Sequence, residues 1–294
     1  MLNRIYRRPR LGLALSGGGA RGIAHIGVLR VLQQAGVPVH CVAGTSAGGV
    51  IGAGFCAGMS PDALAQEALY LSNVRHLVRL MDHVPSRLGL LAGERIAAYI
   101  ISKIGRCDFR DLQIPLALIT VDLESGDEVI LDRGSVVDAV RATMAYPAVF
   151  EPREMDGRLL VDGGLLNNLP VDVPRRMGAD AVIAVDVSAP QEYLGDLSEM
   201  AGRNHLLPQV RLTMAMVARC IDIMMHRIRA QKLAQYPPDV LICPAIPADV
   251  GIFSGFSRAA ECIAAGEEAA RDALPAIERA MKRRIWWPRA ARGG

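Results

Sequence analysis

The sequence predicts a single α/β domain with a mostly parallel central sheet flanked by helices. Three observations carry that expectation. Short apolar runs alternate with helical stretches along the whole chain. Of 294 residues, 51% are hydrophobic but only 4% aromatic, so Ala, Val, Leu and Ile must fill the core, as in parallel sheets covered on both faces. No internal repeat or linker divides the chain.

Residues 11–16 read as a first buried strand, followed by a glycine-rich loop and a helix over 23–35 that Gly36 ends. Residues 37–42 form the second strand and 47–59 the next helix. Ser60 and Pro61 open another helix as its N-cap and first position. Residues 73–93, with Pro85, Gly89 and Gly93, read as an irregular flap. A helix is expected at 94–104, strands at 115–123 and 128–132, and a helix from Ser135 to 144. Residues 158–161 form a strand that runs into Asp162. Strands at 181–187 and 240–243, a long Met-rich helix at 207–235 and a closing helix at 257–284 complete the chain. The Met-rich helix (Met214, Met216, Met224, Met225) reads as a core helix before it reads as an acyl-chain wall.

Six cysteines lie far apart with no C-x-x-C pair, which argues for buried free thiols over disulfides or a zinc site. No metal, cofactor or nucleic-acid partner is expected. Residues 31–61 carry no Asp, Glu, Lys or Arg over 31 positions, long enough to span a membrane. Yet they hold seven glycines and Pro38, which suits a buried strand-turn-helix better. No apolar signal segment precedes the first strand, so a cytoplasmic location is expected.

Charge concentrates at the ends. Arg4, Arg7, Arg8, Arg10, Arg21 and Arg30 precede the first acid, Asp62, and the stretch 281–294 holds Lys282, Arg283, Arg284, Arg289 and Arg292 without an acid. Basic ends on an acidic body suggest peripheral contact with an anionic membrane face, aided by Trp286 and Trp287. Solvated, frayed ends are the alternative. The oligomeric state is left open.

Gly44-Thr45-Ser46-Ala47-Gly48 fits G-x-S-x-G between a strand and a helix. At such a turn the serine hydroxyl is held out at the mouth of the sheet. Ser46 is the candidate nucleophile. Gly17 to Gly22 fits G-x-G-x-x-G, the dinucleotide fingerprint, but the acid that should follow about 20 residues on is missing. Backbone N–H groups at a helix N-terminus can equally hold an oxyanion. Gly17, Gly18 and Gly19 are therefore the candidate oxyanion loop, with Gly18 and Gly19 as donors. Arg21 either holds a substrate phosphate or braces the loop.

A serine needs a base. Among His25, His40, His76, His83, His205 and His226, only His205 has the late position a triad histidine takes, and none is compelling. Asp162, before Gly163 and Gly164, can serve if its surroundings raise its pKa; a turn-forming Asp-Gly is the plainer reading.

Ser16-Gly17-Gly18-Gly19-Ala20-Arg21-Gly22, the Ser46 elbow and Asp162-Gly163-Gly164, in this order, resemble the patatin-like phospholipase family. They are most similar to its bacterial branch, akin to the esterase domain of neuropathy target esterase. Thr120–Leu123, Arg141–Phe150 and Leu165–Pro170 extend the likeness over roughly residues 9–275. The resemblance implies a three-layer α/β/α domain, set here at 9–280, ahead of the basic tail 281–294. It also implies a Ser46–Asp162 dyad without histidine, a glycine-rich oxyanion hole and hydrolysis of phospholipid or lysophospholipid acyl esters. Thr143 and Ala148 stand where the family is expected to carry Ser and Gly, and neither is expected to touch the dyad. A lipid-binding protein without turnover, on the same fold, is the alternative.

Overall fold

The structure is a computed structural model and describes residues 5–82, 91–188, 208–282 and 285–287. Five strands run parallel through its centre. They are β2 (Leu11–Leu15), β3 (Val39–Thr45), β4 (Leu116–Asp122), β8 (Ala181–Val185) and β9 (Val240–Ile242), in the order β4-β3-β2-β8-β9. β2, β4 and β8 are buried at every position, as strands covered on both faces should be.

Beyond this set the sheet turns antiparallel. β5 (Glu128–Leu131) and β7 (Arg158–Asp162) pair with β4, and β6 (Arg153–Met155) pairs with β7. The register has a consequence for the site. β5 holds one edge of β4 from Leu118 to Val121. β3 and β7 must therefore share the other edge. Thr45 pairs with Ile119 and Asp162 with Thr120, so β3 and β7 meet head to head at their C-terminal ends.

Side chains alternate across each strand. Leu11, Leu13 and Leu15 face the larger core, with α1 (Ala24–Gln34), α2 (Ala47–Cys56), α3 (Pro61–Leu71), α6 (Val136–Thr143) and α10 (Ala259–Met281). Ile100 and Ile104 of α5 (Glu94–Ile104) pack against its margin. Ala14, Val182 and Ala184 face the other side, where Leu169 and Val171 pack with Leu233 of α9 (Pro208–Gln235). Two short helices, α7 (Gly164–Asn167) and α8 (Val173–Arg176), lie between. The three layers expected of the sequence are present. The uncharged stretch 31–61 supplies the buried β3 and α2, and among the described residues no helix is long and apolar enough to cross a membrane.

Both expected N-caps are made: Ser60 Oγ accepts from Ala63 N–H at 3.1 Å and Ser135 Oγ from Asp138 N–H at 3.2 Å. The flap expectation needs correction. Residues 74–79 form a helix, α4 (Val74–Arg79), capped by Asn73 Oδ1 on Arg75 N–H at 3.0 Å. Local capping makes this helix, while none of its residues is buried, so no core-facing periodicity announced it. Residues 83–90 of the flap lie outside the described residues. In the basic tail, β10 (Ile285–Trp287) pairs antiparallel with β1 (Ile5–Arg7) near the other end of the chain.

Candidate active site

Ser46 sits on the turn between β3 and α2 with φ 51° and ψ −123°. A non-glycine residue there carries strain of about 1–3 kcal/mol, of the kind that marks functional turns. The surrounding glycines make room. A Cβ on Gly48 would lie 2.4 Å from the Leu15 carbonyl oxygen, so the first turn of α2 can pack against the end of β2 only as glycine.

The strain is held from outside by Thr143, on α6. Its hydroxyl donates to the Ile119 carbonyl at 2.5 Å and accepts from Ser46 N–H at 3.0 Å. The expectation that Thr143 stays clear of the dyad is thus overturned: it fixes the backbone of Ser46. Thr143→Val should lower stability by about 1–3 kcal/mol, because two buried backbone groups lose their partner. Thr143→Ser should keep most of it; thermal unfolding of both variants checks this. Ala148 has φ 66°, a conformation glycine adopts freely.

Asp162 ends β7 and is 3% exposed. Burial raises its pKa to about 6, against the opposing pull of the Ser46 hydroxyl and of Gly164 N–H, which donates to Oδ1 at 2.8 Å. Ser46 and Asp162 line one cleft of about 940 Å³, together with Gly17, Gly18 and Gly19.

Within the glycine loop, Gly17 is the residue tied down. Gly17 N–H donates to the Asn168 carbonyl at 3.0 Å, so Gly17 is a tether and not a donor to the cleft. Asn168 also donates from Nδ2 to Ser188 Oγ at 3.0 Å. Gly18 and Gly19 N–H meet no acceptor among the described residues. Gly19 has φ 57°, and a Cβ there would lie 2.0 Å from the Ile252 carbonyl oxygen.

Arg21 braces the loop, one of the two roles expected for it. It is 5% exposed, with Nε donating to the Val187 carbonyl at 2.7 Å and Nη1 to the Val250 carbonyl at 3.0 Å. Those bonds hold the loop, and Arg21 also lines the cleft. His25 is buried and neutral, its pKa pushed down to about 4 by burial, and its Nε2 lies 2.8 Å from the Ser16 carbonyl, a structural bond as expected. His205 lies outside the described residues. His226 lines the cleft from α9, but its recorded hydrogen bond is to Arg229 Nη2, at 3.1 Å.

Sequence reasoning missed several cleft residues. Asn168 had a faint signal in the run after Asp162. Tyr146, whose pKa is raised by burial and by Asp222 and Asp162, had the same faint signal in the run 141–150; Asp222, raised to about 6 by burial, had none. Asp186, ion-paired with Arg229, completes the polar wall.

The patatin-like phospholipase family model matches residues 13–175, which hold the glycine loop, the Ser46 elbow and Asp162. An uncharacterized NTE family protein of Mycobacterium tuberculosis is 40% identical over 180 residues, 61% of this chain and 49% of that protein. Patatin-like phospholipase domain-containing protein 6 of Homo sapiens is 36% identical over 197 residues, 65% of this chain and 14% of that protein. The matches thus span about half the length of the mycobacterial relative and far less of the human one. The crystal structure of VipD from Legionella pneumophila shares the fold, with TM-score 0.52 and 13% identity over 94% of this chain and 68% of that chain. With more than half the chain under the family model, and with its three glycine-bearing motifs gathered at one cleft, the chain belongs to the patatin-like phospholipase family.

Proposed function

We propose that the chain is a serine hydrolase that cleaves acyl esters of lipids through Ser46 and Asp162, with phospholipid or lysophospholipid as the substrate class. One observation supports the reading above others. A strained serine and a buried carboxylate meet head to head along β4, beside two N–H groups that meet no acceptor among the described residues.

Asp162 takes the Ser46 proton as Oγ attacks the ester carbonyl. Gly18 and Gly19 N–H, with the N-terminus of α2, hold the negative charge on the carbonyl oxygen. The tetrahedral intermediate collapses, the C–O bond to the alcohol breaks, and Asp162 returns its proton to that alcohol. Water then gives a proton to Asp162, attacks the acyl-enzyme and releases the acid, and the proton goes back to Ser46. A pKa near 6 suits this double duty, because the group is mostly ionised near neutral pH yet basic enough to hold a proton in passing.

Wild-type protein should be labelled covalently by a fluorophosphonate probe, and Ser46→Ala should not be. Undiminished labelling of Ser46→Ala would sink the assignment of the nucleophile.

A further inference from the structure

Over residues 216–229 the polarity of α9 is reversed with respect to an ordinary surface helix. Its inner face turns Arg219, Asp222, His226 and Arg229 into the cleft, at steps of three and four residues. Its outer face carries Met216 (51% exposed), Val217 (51%), Ile223 (41%) and Met224 (56%), with exposed Cys220 between them. A helix on a water-facing surface places its apolar stripe inward. A contiguous exposed stripe marks a docking face. Here the expectation of a packed core helix is overturned for Met216 and Met224, which point away from the core. Met225 lines the cleft.

Two neighbouring features indicate what the stripe meets. One turn beyond Met224 stands Arg227, exposed and in no ion pair among the described residues. On the cleft rim stands Phe253, 53% exposed, with its ring edge-on to Tyr146 at 5.4 Å. Apolar groups thus flank the cleft, and a cation borders the longer stripe. Flexible methionines adapt to a fluid partner, and an apolar face edged by arginine suits an interface bearing anionic head groups.

We infer that the outer face of α9 (Met216, Val217, Ile223 and Met224, with Arg227 at its end) docks on an anionic lipid surface. Because the other face of the same helix walls the cleft, docking sets the cleft beside that surface. This rests on the lipid-ester reading for its purpose but not for its test.

The test is co-sedimentation of the full chain with phosphatidylcholine vesicles, with and without phosphatidylserine. The double variant Val217→Glu/Met224→Glu should bind about tenfold or more weakly to both. Arg227→Glu should lose the gain that phosphatidylserine gives. Neither should change hydrolysis of a soluble short-chain ester. Should the glutamates impair folding, seen as a lowered melting temperature, Met216→Ser/Met224→Ser should weaken binding in the same direction. Vesicle binding that is absent in wild type, or equal in wild type and variants, overturns the proposal. So does a wild-type dimer that the double variant turns into a monomer, since a second copy would then occupy the stripe. Vesicle binding that depends on α9, in a protein with no hydrolysis of the soluble ester, upholds the docking face and removes the catalytic reading instead.

Discussion

Asp162→Asn should reduce kcat/KM on a soluble ester by about 10²–10⁴-fold, the usual contribution of a general base. In wild type kcat/KM should rise with pH through about 6, as Asp162 loses its proton, and that limb should vanish in the variant. The same substitution should stabilise the fold at neutral pH. Burial lifts the folded pKa from 3.8 to about 6, so stability from this group is fully present below 3.8 and is lost as pH rises through 6. The deficit at pH 7 is about 3 kcal/mol at 1.36 kcal/mol for each pKa step, an upper figure for a site that can relax. Asp162→Asn should therefore melt higher than wild type at pH 7 and close to it at pH 4. A melting difference that does not grow between those two values would show that the carboxylate is not strained by burial, and a pH profile kept by the variant would assign the base elsewhere.

Gly19→Ala should lower kcat by about 10²–10³-fold, the cost of losing one oxyanion donor, with a smaller change in KM. Alanine at φ 57° adds about 1–2 kcal/mol of backbone strain. More telling is its Cβ, which would sit 2.0 Å from the Ile252 carbonyl oxygen. Either the loop at Ile252 withdraws or the glycine loop turns, and Gly19 N–H leaves its aim in the second case. Fluorophosphonate labelling should slow in parallel, because the serine's attack on phosphorus also builds negative charge on the phosphoryl oxygen in that site. Unchanged kcat with unchanged labelling would remove Gly19 from the oxyanion hole.

The motifs were legible where the backbone must do something only glycine permits. Gly48 against Leu15 and Gly19 against Ile252 are positions where any Cβ collides, and such needs are written into local sequence. Ser46 stood out because it adjoins such positions, and Asp162 through the family resemblance that its Asp-Gly-Gly run carries. The roles of Gly17, Arg21 and Thr143 did not, because their partners are remote. Gly17 bonds to Asn168, 151 residues along the chain, and Arg21 reaches across 166 and 229 residues to Val187 and Val250. The exposed stripe of α9 was hidden for a different reason. Apolar periodicity tells which residues share a helix face, but not whether that face turns inward or outward.

Alternation of apolar runs and the glycine motifs, read from the sequence alone, determined a mostly parallel α/β sheet and the candidate nucleophile elbow; the family resemblance added the candidate carboxylate. The sheet and the elbow follow from short-range rules: the side-chain period of a strand, the cap of a helix, the space a turn needs. Only the tertiary structure decided that β7 runs against β4 and stops at Asp162, facing the end of β3. That placement depends on which edge of β4 each strand takes, a choice made by long-range packing, and it is what brings Asp162 to Ser46.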